Sequence, residues 1–152
     1  MTSALLADCH WLSVRDGDLR ALDLFKRHYS YRHRAGGQPR GSPTFVGQGE
    51  KMVLLTQDCR ALWAWQRSTM ERASGQIGVC CTVFRNEGSV LSSLLVKEAC
   101  ELAWQRWPGE RLYTYVNACK IRSSNPGCCF LKAGWQRCGW SNGGLLILEV
   151  LP

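Results

Sequence analysis

The chain has 152 residues, 45% of them hydrophobic and 20% charged, with a formal net charge of +7. That length suits a single domain, spanning residues 1–152, that buries roughly two thirds of its unfolded surface. No apolar run approaches the ~20 residues of a membrane span. The first residues, Met1 to Trp11, lack the basic start and long apolar stretch of a secretory signal, so a cytoplasmic protein with no membrane partner is expected.

The nine cysteines include the adjacent pairs Cys80-Cys81 and Cys128-Cys129, and no C-x-x-C occurs. An odd count at such spacing argues against a disulfide framework and against a metal site. Free thiols packed as small hydrophobes are expected instead. The positive charge is concentrated. Lys26–Arg40 holds five basic residues, His28, His33, Tyr29 and Tyr31, and no acid. Arg111–Leu148 is likewise acid-free. One-signed segments interleaved with aromatics suit a polyanion, and Arg27, Arg32, Arg34 and Arg40 are the candidate contacts to nucleic acid. A solubilising face with a basic loop is the plainer alternative.

In chain order, His10–Arg15 reads as a short strand. Asp16-Gly-Asp18 introduces a helix carrying Leu19, Leu22 and Phe25 and reaching the region of Tyr29. Residues 30–49 form an irregular basic loop rich in Gly and Pro. Lys51–Gln57 and Ala61–Arg67 are strands joined by a tight hairpin at Asp58-Cys-Arg60, and residues 68–76 are a polar connection. Gly78–Arg85 is a near-continuous apolar run, as a central strand covered on both faces requires. Leu91–Trp107 places Leu91, Leu94, Leu95, Ala99, Leu102 and Ala103 on one helical stripe, and Pro108-Gly109 stops it. Leu112–Asn117 alternates, with Tyr113, Tyr115 and Asn117 on one face. Asn125-Pro126 reads as the cap and first residue of a short helix, and Gly134 as the glycine that ends it. Trp135–Trp140 and Leu145–Leu151, joined by Ser-Asn-Gly-Gly, form a closing hairpin. The expected fold is α/β, a mixed sheet flanked by helices. Most of the seven tryptophans belong in its core, with Trp63 and Trp65 open to an alternative as an exposed stacking pair.

Arg85-Asn-Glu-Gly88, the following helix and Phe130-Leu-Lys-Ala-Gly-Trp135 together resemble the GNAT (N-acetyltransferase) superfamily over residues 78–148. There the turn after the fourth strand reads R/Q-x-x-G-x-G/A and cradles the pyrophosphate of acyl-CoA. Arg85 and Gly88 match it, and Val90 stands at the next glycine position. The resemblance implies a GNAT-like sheet with splayed central strands. It also implies acyl-CoA or another phosphate-bearing donor held by Arg85, Asn86, Gly88, Ser89, Ser92 and Ser93, with backbone amides and the helix dipole assisting. Phe130 replaces the family's tyrosine, which protonates the leaving thiolate in many members. His28-Tyr29, the phosphate turn leading to Ser92-Ser93, and the segment Ser123-Ser124-Asn125 are similar to the phage Mom-type DNA-modification proteins. Those are divergent GNAT-fold enzymes that alter the exocyclic amine of adenine in DNA.

The candidate catalytic residues on this resemblance are His28, Tyr29, Tyr115, Asn117 and Ser124. Histidine is the natural base near neutral pH, although a histidine ending a helix also serves its carbonyls. Tyrosine can donate to a developing oxyanion, and asparagine can hold an adenine edge. Packing of Tyr113 and Tyr115 against helices is the alternative. Ser92 and Ser93 read as helix-capping and phosphate-contacting groups, and Ser123 to Asn125 as caps lining the cleft mouth. Asn125-Pro-Gly-Cys faintly resembles the adenine-methyltransferase Asn-Pro-Pro-aromatic motif, but no glycine-rich cofactor loop precedes it, which excludes that reading. Two function classes remain: a transferase acting on an amine, foremost that of a DNA base, and a non-catalytic nucleic-acid-binding module. Within the first class, a small-molecule or protein N-acetyltransferase using acetyl-CoA is the further alternative.

Overall fold

The computed structural model describes residues 9–28, 31, 43–67, 75–118 and 127–152. Its elements are β1 (Trp11–Val14), α1 (Leu19–Lys26), β2 (Glu50–Thr56), β3 (Ala61–Arg67), β4 (Val79–Asn86), α2 (Ser92–Arg106), β5 (Leu112–Val116), α3 (Cys128–Lys132), β6 (Gln136–Trp140) and β7 (Leu146–Val150). The strands form one mixed sheet in the order β1-β2-β3-β4-β5-β7-β6. All neighbours are antiparallel except β4 and β5, whose parallel pairing needs the α2 crossover between them. No helix among the described residues is long and apolar enough to cross a membrane.

Two apolar layers cover the sheet. On one face Ala21 and Leu24 of α1 pack with Val53, Leu55, Leu62, Ala64 and Val83. On the other, Leu95, Val96, Ala99 and Ala103 of α2 and Phe130 of α3 pack with Trp63, Trp65, Val79, Leu112 and Leu148. The indoles tie this second layer to the helix. Trp11 Nε1 donates to the Leu95 carbonyl at 2.9 Å and Trp65 Nε1 to that of Ala99 at 3.0 Å. Trp63 and Trp65 are both fully buried, which overturns the exposed-pair alternative. Their rings lie 4.9 Å apart beneath α2 and extend the core.

The local chemistry is direct at most boundaries. Asp18 caps α1 through its side chain, which accepts from the amides of Arg20 and Ala21. The hairpin at 57–60 closes through Cys59 N to Thr56 O at 2.8 Å, with Cys59 itself at φ 60°. Gly78 is needed because a Cβ there would lie 2.2 Å from the Arg111 carbonyl oxygen, beside the first β4–β5 contact. The closing turn has Gly144 N donating to Ser141 O at 3.0 Å.

Four details depart from the sequence reading. The first helix ends at Lys26, short of Tyr29, which lies outside the described residues. In α2, Leu91 is 68% and Leu94 41% exposed, so the buried face is carried by Ser93, Leu95, Val96, Ala99, Cys100 and Ala103. The cap of α2 is Leu91, without a side-chain hydrogen bond, so Ser92 and Ser93 do not cap it but stand inside its first turn. The short helix α3 starts at Cys128 behind Gly127, at φ 78°; the expected cap and start at Asn125-Pro126 lie outside the described residues.

Candidate active site at the sheet opening

The geometry that could hold a ligand begins where β4 and β5 part. They pair only from Val79↔Leu112 to Cys81↔Thr114, yet β4 runs on to Asn86 and β5 to Val116. At the same point β4 bulges. On β3, Ala64 faces Val83 and Trp65 faces Cys81, so Thr82 is the extra residue. A bulge bends and twists its strand, and beyond this one β4 no longer pairs with β5. Thr114 Oγ1 donates to the Cys81 carbonyl at 2.9 Å and pins the last paired position. Beyond it the opening has Phe84, Arg85 and Asn86 on one side and Tyr115, Val116 and Asn117 on the other.

The turn from β4 to α2 is organised by Asn86. Its Nδ2 donates to Val90 O at 2.7 Å and to Ser92 Oγ at 2.9 Å, while its Oδ1 accepts from Gly88 N at 3.0 Å. Asn86 therefore shapes the turn and has both ends of its amide engaged. Glu87 N donates to Arg60 O at 2.7 Å, which clips the turn to the β2–β3 hairpin. Gly88 lies under that hairpin: a Cβ would sit 3.2 Å from Arg60 Cβ. The need for glycine here is close approach to the hairpin rather than a left-handed backbone. Ser89 is exposed, Ser92 is part-buried and Ser93 is buried. The first amides of α2 have no carbonyl partner inside their own helix.

The arginines expected to act separately meet at one carboxylate. Arg27 Nε and Nη2 grip Glu87 Oε2 and Oε1 at 2.7 and 3.0 Å, and Arg85 Nε donates to the same Oε2. Arg27 also reaches Asp23 at 2.9 Å. Arg85 Nη1 donates to the Arg27 carbonyl at 2.8 Å. Hydrogen bonds from Arg27 and Arg85 hold the Glu87 carboxyl down at about 2. His28 sits beside this group. Burial, with the Arg85 charge adding to it, lowers its pKa to about 4, against a raising hydrogen bond with the Phe84 backbone. It is a neutral imidazole at neutral pH.

Of the sequence-chosen residues, the structure brings His28, Arg27, Arg85, Asn86 and Gly88 to one end of β4. Ser92 joins them through its bond to Asn86. Tyr115 and Asn117 stand across the opening on β5 and just beyond it, and Tyr115 meets Tyr113 edge-on at 5.8 Å. Tyr29, Arg32, Arg34, Arg40 and Ser124 lie outside the described residues. Phe130, at the family's tyrosine position, is buried against Phe84, Trp63 and Trp135 at 6.1, 5.9 and 4.9 Å. Cys129 is part-buried, and burial raises its thiol pKa, so it is protonated at neutral pH. Glu87 is the residue that sequence reasoning passed over. Its signal was an acid inside the turn that a phosphate was expected to occupy. No group of three or more His, Cys, Asp or Glu side chains among the described residues is placed to hold a metal ion.

At the turn that the resemblance assigns to a phosphate-bearing donor, both arginines are bound to Glu87. Neither a protein-family model nor a curated protein matches the sequence.

Proposed function

We propose that the chain is a divergent GNAT-like transferase, similar to the phage Mom-type proteins, that moves an acyl or acyl-like group to the exocyclic amine of a DNA base, adenine foremost. The observation that carries this reading is the opening of the sheet beyond Cys81 and Thr114. It stands at the foot of α2, with a neutral histidine on one side and Tyr115 and Asn117 on the other. An acyl-CoA or similar donor would supply the activated carbonyl group. The chain's own residues account for the acceptor. His28, held in its base form, would take the proton that the amine loses. Asn117 would hold the adenine edge and Tyr115 would stack on the base or donate to it. Because the lone pair of an adenine amine is delocalised into the ring, rate must come largely from positioning. A base in duplex DNA would also have to be flipped out. The basic segment Lys26–Arg40 supports a nucleic-acid partner, and the sequence reading of a cytoplasmic protein suits that partner.

A second reading has observations of its own. Glu87 occupies the arginines and Phe130 fills the tyrosine position within an aromatic cluster, which favours a DNA-binding module that keeps the sheet without the reaction. Mass spectrometry of nucleosides from DNA of cells expressing the protein separates the two. A new modified nucleoside supports transfer to a base. Unmodified DNA together with salt-sensitive DNA binding supports the module. Transfer from acetyl-CoA to small amines or peptides, with DNA untouched, supports an N-acetyltransferase of the ordinary kind.

A further inference from the structure

We propose that Arg27 and Arg85 form one oxyanion receptor at the donor turn and that Glu87 is its resident, displaceable occupant. A phosphate-bearing ligand would enter by exchanging places with the Glu87 carboxylate. The inference deepens the donor reading above and rests on it for its use, while its physical content stands on the geometry of three side chains.

The receptor is framed independently of its occupant. Arg27 is braced by Asp23 at 2.9 Å, and Arg85 by the Arg27 carbonyl at 2.8 Å. Both guanidinium groups therefore keep an anchor when Glu87 leaves. Side by side without an anion between them they would repel, so the site calls for one. Arg27 presents Nε and Nη2 as a fork to two oxygens of one group, the geometry by which arginine also grips phosphate. Glu87 follows the last residue of β4 and its backbone is fixed by Arg60 O, so rotation of its side chain alone would vacate the receptor. His28 beside Arg85 is neutral and adds no competing charge. Asp58, near Gly88, is a further acid at the turn among the described residues.

Inorganic pyrophosphate is the probe. In the wild-type protein at low ionic strength and neutral pH, titration should shift the arginine Nε–H resonances of Arg27 and Arg85 together and saturably. In Glu87→Gln the affinity for pyrophosphate should rise at least about ten-fold, about 1.4 kcal/mol. Adding Arg85→Gln to that variant should reverse the gain. Unmoved arginine resonances in the wild type overturn the receptor, and this arm decides the matter alone if Glu87→Gln does not fold. A folded Glu87→Gln that binds pyrophosphate no tighter also overturns it. Pyrophosphate binding as described, with DNA unmodified in expressing cells, leaves the receptor standing and removes base transfer. Modified DNA with unmoved resonances does the reverse.

Discussion

The hydroxyl of Thr114 is the most direct handle on the opening of the sheet. It lies at the last paired position of β4 and β5, is 4% exposed, and donates to the Cys81 carbonyl at 2.9 Å. Thr114→Val keeps the shape and β-branching but removes the donor. The Cys80 thiol also lies 3.5 Å from the Cys81 carbonyl. Losing a neutral hydrogen bond costs about 0.5–1.5 kcal/mol, and leaving a buried acceptor unsatisfied raises the cost to about 1–3. The added methyl recovers part of that, so about 1–2 kcal/mol is expected. For a domain of this length each kcal/mol moves Tm by roughly 2–4 °C, giving a fall of roughly 2–8 °C. Thermal and urea melts of the two proteins measure it. A Thr114→Val protein as stable as the wild type would show that the hydroxyl does not hold the parting strands, and the account of the opening would be wrong.

Asn86→Ala removes three hydrogen bonds that shape the donor turn; it should cost about 1–3 kcal/mol in urea unfolding and weaken pyrophosphate binding, whereas unchanged binding would show that the turn holds its shape without Asn86. Stability should also fall in acid in two steps. The folded pKa of His28 is lowered to about 4, so between about 6.5 and 4 the unfolded chain binds the proton and the folded one resists it. Stability is therefore full above that window, and His28→Gln should flatten the loss when Tm is followed from pH 7.5 to 4.5. Glu87, lowered to about 2, adds its loss below about pH 4.5. Thiol titration of the native protein should label Cys138 early and Cys80, Cys81 and Cys100 only on unfolding, since Cys138 is exposed and the other three are buried; early labelling of Cys81 would contradict the core described here. In DNA binding, Arg27→Gln alone should leave the dependence of log affinity on log salt nearly unchanged, because Arg27 is already paired. Replacing Arg32, Arg34 and Arg40 together should reduce the slope by roughly 2.7, at about 0.9 per contact; a larger effect from Arg27 would reverse that assignment.

The order of strands and helices was legible because each carries a simple local signature. Gly78–Arg85 is apolar without alternation, and the strand it becomes has residues in both apolar layers. Asp58-Cys-Arg60 and Ser141 to Gly144 are turn chemistry, and both are turns. What failed did so for tertiary reasons. Leu91 and Leu94 satisfy the helical period as well as Leu95 does, but α2 meets the sheet one residue round, where the Trp11 and Trp65 indoles reach its carbonyls. Ser92-Ser93 has the composition of a cap, yet Asn86 takes the Ser92 hydroxyl into the turn and the cap falls on Leu91 instead. The site was half legible. Arg85, Asn86, Glu87 and Gly88 stand at the turn, but their partners Arg27 and Arg60 arrive from distant parts of the chain, and no spacing rule brings Arg27 to Glu87.

That convergence changes what the net positive charge means. Ion pairs tie Arg20, Arg27, Lys51, Arg67, Arg85 and Arg111 to carboxylates. Four of these pairs link distant segments of the folded chain, whereas Arg20–Asp18 and Arg85–Glu87 are local. The two acid-free stretches, Lys26–Arg40 and Arg111–Leu148, contain the other large share of the basic residues, and among the described residues Arg27 and Arg111 at their margins join the pairs named above. A polyanion would be drawn to those stretches, while a small phosphate ligand would have to compete with Glu87 for two arginines at the β4 turn. On the proposed function, attraction to nucleic acid and binding of a donor would therefore draw on different cations. Substitutions in residues 32–40 should change the first without the second, and Glu87→Gln should change the second without the first.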